Sequence, residues 1–142
     1  MNEIDIIFNK LYGQKCWRAW RGYSTAIFFE FGKKIITSKT KQLERGSYTL
    51  SLDFCPWKIL ENGKEIGNDD QDYRKIDSLL PKFENQTIEK INIFPDSSET
   101  QIIFSNNLII QTFHQKLDKK WYLLTPEKIL TVEQNCLIKI KD

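Results

Sequence analysis

Residues 47–54 alternate between polar and apolar side chains, and this pattern constrains the fold more than any other in the chain. The even-numbered positions carry large apolar side chains, namely Tyr48, Leu50, Leu52 and Phe54. The odd-numbered positions carry small or charged ones, namely Ser47, Thr49, Ser51 and Asp53. Because neighbouring side chains of a β-strand point to opposite faces, we predict a strand whose first set faces a core and whose second set faces water.

Shorter segments elsewhere show the same period of two, and turn-forming residues separate them. They lie at or near residues 15–21, 25–31, 35–36, 57–60, 65–66, 87–94, 100–104, 108–113, 121–125, 129–132 and 137–140. Gly32 is expected to end the strand over 25–31, which leaves the lysine-rich stretch 33–46 as an edge or an exposed loop. Asn62 and Gly63 predict a hairpin turn, because both residue types tolerate positive φ angles.

These segments predict an antiparallel meander of about ten short strands that closes as a β-barrel or folds as a β-sandwich. An N-terminal helix is expected from apolar residues at helical spacing, namely Ile4, Ile7, Phe8 and Leu11. Asn2 suits its N-cap and Gly13 its end. A second, inserted helix is predicted over residues 73–80, limited by Pro81. The fold class is therefore all-β to α+β, in one β-rich domain over residues 1–142.

Charge and hydropathy exclude several kinds of partner. The formal net charge is +2, from 21 basic and 19 acidic residues, which argues against nucleic acid as a partner. The first residues carry two acids and no basic region, unlike a secretory signal. No apolar run approaches the roughly 18 residues that a membrane-spanning helix needs. We therefore expect a cytoplasmic protein that does not enter a membrane.

Few residue types suited to catalysis are present. The one histidine, His114, has no partner that can be identified in the sequence, and we expect it at an exposed strand end. Cys16, Cys55 and Cys136 are odd in number and lack metal-binding spacing. We predict buried, reduced thiols, with neither a disulfide nor a zinc site.

An acidic cluster formed by Asp69, Asp70 and Asp72 precedes the second helix. It lacks the alternating ligands, central glycine and terminal glutamate of an EF-hand loop, so we expect it to cap the helix instead. No nucleophile elbow, P-loop or dinucleotide-binding motif occurs. The sequence thus predicts no catalytic residue, no metal and no cofactor.

One short segment is rich in residue types that dominate binding sites, and it carries Trp17, Arg18, Trp20, Arg21 and Tyr23. One interpretation is a surface for a protein partner. A second is a platform for single-stranded nucleic acid, with rings that stack on bases beside cations that meet phosphates. A third is structural, with one tryptophan in the core and an arginine over a ring. Two tryptophans so close together cannot easily enter one core, so at least one is expected to be partly exposed.

The order of aromatic and glycine landmarks resembles that of a group of small uncharacterised bacterial proteins. The landmarks are LYG at 11–13, CW at 16–17, FEFG at 29–32, RGSYTL at 45–50, WKI at 57–59, Phe104 with Leu108, and WYLL at 121–124 with Pro126. The resemblance implies a β-rich cytosolic protein without an assigned activity, and some small proteins of this kind are immunity proteins in toxin systems. It assigns no functional residue.

We therefore expect a non-catalytic protein-binding module that neutralises a partner in the manner of an immunity protein. The main alternative is a barrel that holds a small molecule among interior aromatic residues, namely Phe54, Trp57, Phe104 and Trp121. An uncharacterised enzyme is the third alternative. The sequence does not indicate an oligomeric state.

Overall fold

A computed structural model describes residues 2–38, 43–97, 99–113, 120–133 and 137–142, and within them most residues lie in antiparallel strands. In chain order the elements are α1 (Glu3–Leu11), β1 (Cys16–Arg21), β2 (Ile27–Ser38), β3 (Leu43–Phe54), β4 (Trp57–Glu61), β5 (Lys64–Asn68), α2 (Tyr73–Leu79), β6 (Ile88–Phe94), β7 (Glu99–Phe104), β8 (Leu108–Phe113), β9 (Lys120–Leu124), β10 (Ile129–Val132) and β11 (Ile138–Lys141). A 3₁₀ turn, Leu80–Phe83, follows α2. The β-rich fold class with two helices is confirmed.

The strands form two antiparallel sheets, with the orders β1-β2-β3-β9-β10-β11 and β5-β4-β8-β7-β6. The chain builds three strands of the first sheet, then the whole second sheet, and returns to pair β9 with β3. This topology differs from the simple meander that the turn spacing predicts. The pairings of β3 with β9 and of β4 with β8 join segments far apart in the chain, which local turn signals do not reveal.

The inner faces of the two sheets and the buried faces of both helices share one hydrophobic core. Its centre is aromatic: the ring centroids of Phe29 in the first sheet and Phe104 in the second are 5.6 Å apart. Phe83 packs edge-on against both, at 5.2 and 4.8 Å. The core therefore joins β2 to β7 directly.

The inward face predicted for β3 is confirmed for the side chains that the structure describes. Leu50 and Leu52 are buried, and Tyr48 is half-buried against the core. The side chain of Phe54 lies outside the described residues.

The other face of β3 corrects the prediction, because Thr49 and Ser51 are also buried instead of facing water. Ser51 lies in register between Phe28 of β2 and Tyr122 of β9. Small side chains in the middle of a six-stranded sheet are covered by larger neighbours on both sides. The alternation of residues within one strand does not reveal which side chains of the adjacent strands will cover them.

Helix α1 begins and ends as predicted. The Asn2 side chain accepts a hydrogen bond from the Asp5 N–H at 2.8 Å, and Gly13 has a φ of 84° just after the helix. Ile7, Phe8 and Leu11 are buried. The apolar spacing therefore identified the buried face correctly.

Helix α2 begins at an Asp72 cap, whose side chain accepts from the Lys75 N–H at 3.1 Å. Capping is thus confirmed for Asp72 only. Asp69 accepts instead from the Trp57 N–H at 3.1 Å, which fixes the start of β4, and Asp70 is exposed. In the described part of the chain, neither helix is long and apolar enough to cross a membrane.

The hairpin predicted at Asn62 and Gly63 is present, and the two residues have φ angles of 52° and 81°. It joins β4 to β5. Strand β5 extends to Asn68 and is longer than the predicted segment 65–66.

Strand β2 does not end at Gly32, which corrects the sequence prediction. Gly32 has a φ of +76° and lies where β2 holds one residue more than β3, between Phe31 and Lys34. A glycine at positive φ accommodates such a bulge without ending the strand. The two strands stay paired as far as Ser38 and Leu43. We call residues 33–38 and 43–46 the β2–β3 ribbon.

Candidate functional site

Strand β1 divides the predicted binding segment between two faces of the first sheet. Ala19 is paired with the buried Phe29 and therefore faces the core. Arg18 and Trp20, on either side of it, face outward, where Trp20 is paired with Phe28. Trp17 and Trp20 are both half-buried, which confirms that at least one tryptophan is partly exposed.

Trp20 is the centre of what we call the outer cluster, which consists of Arg18, Trp20, Phe28 and Glu30. Its ring stacks on Phe28 with centroids 4.5 Å apart and an interplanar angle of 24°. The guanidinium carbon of Arg18 lies 4.7 Å from the same ring, and the indole N–H donates to Glu30 Oε2 at 2.8 Å. Three neighbours thus fix the orientation of the indole at the surface.

Glu30 is a carboxylate that is only 1% exposed. Its Oε1 accepts from the Gly46 N–H at 3.0 Å and from the Thr49 hydroxyl, and its Oε2 accepts from Trp20. No ion pair of Glu30 is found with any described residue. Neutral donors therefore satisfy the buried carboxylate, which would otherwise be costly to desolvate.

The sequence analysis did not select Glu30 as a site residue. The available signal was a single acid within the apolar segment 27–31, on a face shared with Phe28. An acid at such a position has to find donors or reach solvent. The donors come from other strands, so the register had to be known to find them.

Trp17 lies where the pairing of β1 with β2 is irregular, between Cys16 and Arg18. The Lys34 Nζ of the ribbon is 4.9 Å from the Trp17 ring centroid. The Trp17 indole nitrogen is buried without a hydrogen-bond partner among the described residues. Lys34 and Arg18 are exposed cations held over rings, and neither pairs with a described carboxylate.

Arg21 is directed away from the outer cluster, toward helix α2. Its Nε and Nη2 donate to the two carboxylate oxygens of Asp77 at 2.9 and 3.3 Å, and its guanidinium carbon lies 4.5 Å from the Tyr73 ring. This contact joins β1 to α2. The position of an arginine over a ring agrees with the structural interpretation of the segment, but neither Trp17 nor Trp20 is fully buried in the core. Tyr23 is exposed in the turn after β1. The five predicted residues therefore do not form one contact cluster.

The aromatic residues expected to line an interior ligand site are, where described, packed in the core. They are Trp57, Phe104 and Trp121. The indole of Trp121 donates to the Thr100 hydroxyl at 3.1 Å, and this hydroxyl also hydrogen-bonds with that of Thr112. Protein groups thus occupy the space and satisfy the polar atoms there.

A cleft of about 220 Å³ lies between α1 and the β9–β10 turn. Ile6 and Lys10 of α1, Tyr48 of β3, and Pro126 and Lys128 of the turn contribute to its lining. Its lining combines apolar and charged side chains and includes no residue of the outer cluster.

Cys16 and Cys55 are buried, as predicted, whereas Cys136 and His114 lie outside the described residues. Burial raises the pKa of the Cys16 thiol to about 12. The thiol donates a hydrogen bond to the Arg18 carbonyl at 3.3 Å. A thiol with this pKa holds its proton at neutral pH and is a poor nucleophile.

Cys16 is therefore expected to resist iodoacetamide at pH 8 in the folded protein and to react once urea unfolds it, as peptide mass spectrometry would show. The unfolded chain loses this proton near the ordinary pKa of 9.0. The free energy of unfolding should accordingly fall as the pH rises from 9.0 toward about 12. Equal labelling of folded and unfolded protein at Cys16 would contradict the expected burial.

Across the described ranges, no group of three or more His, Cys, Asp or Glu side chains is placed to hold a metal ion. Comparisons of the chain with protein-family profiles, curated proteins and solved structures found no match. Function is therefore inferred from the geometry of the molecule.

Proposed function

We propose that the protein is a non-catalytic protein-binding module and that the outer cluster is the centre of its binding surface. The observation that carries this proposal is the position of Arg18, an exposed cation held over the fixed ring of Trp20 without a described carboxylate partner. Arginine and tryptophan dominate binding hot spots. A side chain already held in place also loses little conformational entropy when a partner binds.

The same geometry favours a protein over a single-stranded nucleic acid. Stacking on bases needs a free ring face. The Trp20 ring already contacts Phe28 and the Arg18 guanidinium. The net charge of +2 also provides little general attraction for a polyanion.

Neutralisation of a partner protein, in the manner of an immunity protein, is the role we propose for this binding. Its support is the resemblance of the landmark residues to small bacterial proteins of that kind. We place the protein in the cytoplasm for the same reason. A toxin gene beside the coding gene would favour this role, whereas a metabolic operon would favour a small-molecule ligand.

We also propose that the fold is a β-sandwich rather than a barrel. The contact of Phe29 with Phe104 across the two inner faces supports this arrangement. The division of the strands into two sheets, with β1 and β11 at the two ends of the first, also supports it.

A photo-cross-linking amino acid at position 18 would identify the partner, with the same amino acid at the exposed position 74 of α2 as the control. The affinity of the isolated partner can then be measured for variants of the protein. Arg18→Ala is expected to weaken binding about thirtyfold or more, because truncation of a hot-spot residue costs about 2 kcal/mol or more. Thermal stability should change little, since Arg18 is exposed. Arg74→Ala is the matched control and should bind normally. A partner that binds the Arg18→Ala variant with unchanged affinity would refute the surface.

Arg21→Ala is a poor test of binding, because the variant loses the contacts with Asp77 and Tyr73. A fall in affinity there would mix the loss of a partner contact with movement of α2. Arg18 is therefore the more informative position.

Binding of a small molecule is the second candidate function, and the cleft between α1 and the β9–β10 turn supports it. A saturable thermal shift with one compound, lost in Tyr48→Ala and kept in Arg18→Ala, would favour it over protein binding.

A further inference from the structure

We propose that the partner docks by strand addition: the open edge of β2 at residues 33–36 takes an extended segment that carries two adjacent acidic side chains beside two adjacent apolar ones. This inference rests on the proposed protein-binding function. It adds the docking mode and the chemistry of the segment that is recognised.

The edge is open because β1 covers only part of β2. The two strands pair from Arg21 with Ile27 to Cys16 with Phe31. Before Cys16 the chain leaves the first sheet, and Lys15 forms a bridge with residue 87 next to the second sheet. No other described strand takes the place beside residues 33–36. The Lys33 N–H already donates to Ser47 Oγ at 3.1 Å. Alternate residues of the remaining edge direct their N–H and C=O groups outward, where an added strand can pair with them.

The side chains along this edge define what an added strand has to carry. Lys33 and Lys34 are exposed and have no described ion-pair partner. Ile35 is 36% and Ile36 is 66% exposed. Cations call for carboxylates, and exposed isoleucines gain from apolar contact. Lys33 and Lys34 are adjacent in the chain, as are Ile35 and Ile36. An added strand that faces them residue by residue therefore needs two adjacent acidic side chains beside two adjacent apolar ones.

The ribbon also gains stability from a third strand. Beyond Gly32, β2 and β3 pair only with each other among the described residues. Two-stranded ribbons are marginally stable in water, and a third strand with apolar contacts stabilises them. Binding would therefore order a segment of the protein that the fold itself supports weakly.

Two other occupants fit the edge less well. The same edge of a second copy carries two more lysines and no carboxylate, so it offers Lys33 and Lys34 no ion-pair partner. Nucleic acid would meet the lysines, but its backbone offers neither the ladder hydrogen bonds nor an apolar surface for Ile36. A different polypeptide can supply all three features that the edge needs: backbone hydrogen bonds, carboxylates for the lysines and an apolar surface for the isoleucines.

The open edge is continuous with the binding surface already proposed. Lys34 lies over the Trp17 ring, and Trp17 is followed directly by Arg18 of the outer cluster. Strand β1 occupies the place beside residues 27–31, so a strand added beside residues 33–36 would end next to Cys16 and Trp17, close to that cluster. One partner could contact both features at once.

The test uses backbone NMR of the full chain with two probes. One is a soluble peptide that has two adjacent glutamates next to two adjacent valines, and the other is the same peptide with lysines in place of the glutamates. The acidic peptide is expected to shift the amides of residues 33–36, to slow their hydrogen exchange, and to bind more weakly as salt is added. A Lys33→Glu, Ile36→Ser double variant should lose roughly tenfold or more in affinity. A Lys90→Glu, Leu137→Ser double variant, changed at exposed positions elsewhere, is the matched control and should bind normally.

Absence of shifts at residues 33–36, or equal binding of the basic peptide, would overturn the inference. Larger shifts at the same amides with duplex DNA than with the acidic peptide would also overturn it, in favour of nucleic acid. The proposed binding function and the strand-addition mode can be distinguished by their results. A natural partner that depends on Arg18 but leaves the ribbon amides unchanged would retain the binding surface and reject strand addition.

Discussion

Leu50→Ala is expected to lower the free energy of unfolding by about 2–5 kcal/mol. Leu50 is fully buried and lies in register between Phe29 of β2 and Leu123 of β9, in the middle of the first sheet. Its removal would leave a cavity between strands that are held on both sides and cannot close fully. Urea denaturation of the two proteins measures the difference.

The matched control is Leu137→Ala, because Leu137 is 56% exposed. This change should lower the free energy of unfolding by less than about 0.5 kcal/mol. An equal effect of both substitutions would mean that Leu50 does not face the core and that the register of β3 with β2 is wrong.

The positions of single elements were predictable from the sequence because their signals are local. Helix α1 has its cap, its apolar spacing and its final glycine within a few residues of one another. Strands β8 and β10 match their predicted bounds. Residues that favour caps or turns flank each of these elements in the sequence.

The arrangement of the strands was not predictable in the same way. The pairing of Leu50 with Leu123 joins residues that no local pattern connects. Gly32 was misinterpreted because glycine is equally suited to a strand end and to a bulge. The burial of Ser51 depends on Phe28 and Tyr122, which lie on other strands. The order and register of the paired strands determine all three features: the neighbours of Leu50, the bulge at Gly32 and the burial of Ser51.

The candidate site was predictable in part. Composition alone selected the segment that contains Arg18 and Trp20. The partners that hold them in place, Phe28 and Glu30, come from the neighbouring strand through its register. Arg21 was grouped with them because it is close in sequence, but it lies on the side of β1 that contacts α2.

Glu30→Ala is expected to lower the free energy of unfolding by about 3 kcal/mol, since a buried donor left without an acceptor costs about 1–3 kcal/mol. Three donors lose their acceptor in this variant: the Gly46 N–H, the Thr49 hydroxyl and the Trp20 indole N–H. The hydroxyl can rotate to another acceptor, whereas the two N–H groups are fixed by the strand and the ring stack. Glu89→Ala, at an exposed position of β6, is the control and should change stability little.

Glu30→Gln separates the role of Glu30 in the fold from its role in placing Trp20. The amide oxygen can still accept from Gly46 and Thr49, but the NH₂ group then faces the Trp20 indole N–H, and two donors oppose each other. We expect a smaller loss of stability, about 1–2 kcal/mol, together with faster hydrogen exchange and a shifted NMR signal of the Trp20 indole. The Glu30→Gln variant should also bind the natural partner more weakly, because Arg18 is held over the Trp20 ring. An unchanged indole signal in Glu30→Gln would mean that the stack with Phe28 holds Trp20 in place without the carboxylate.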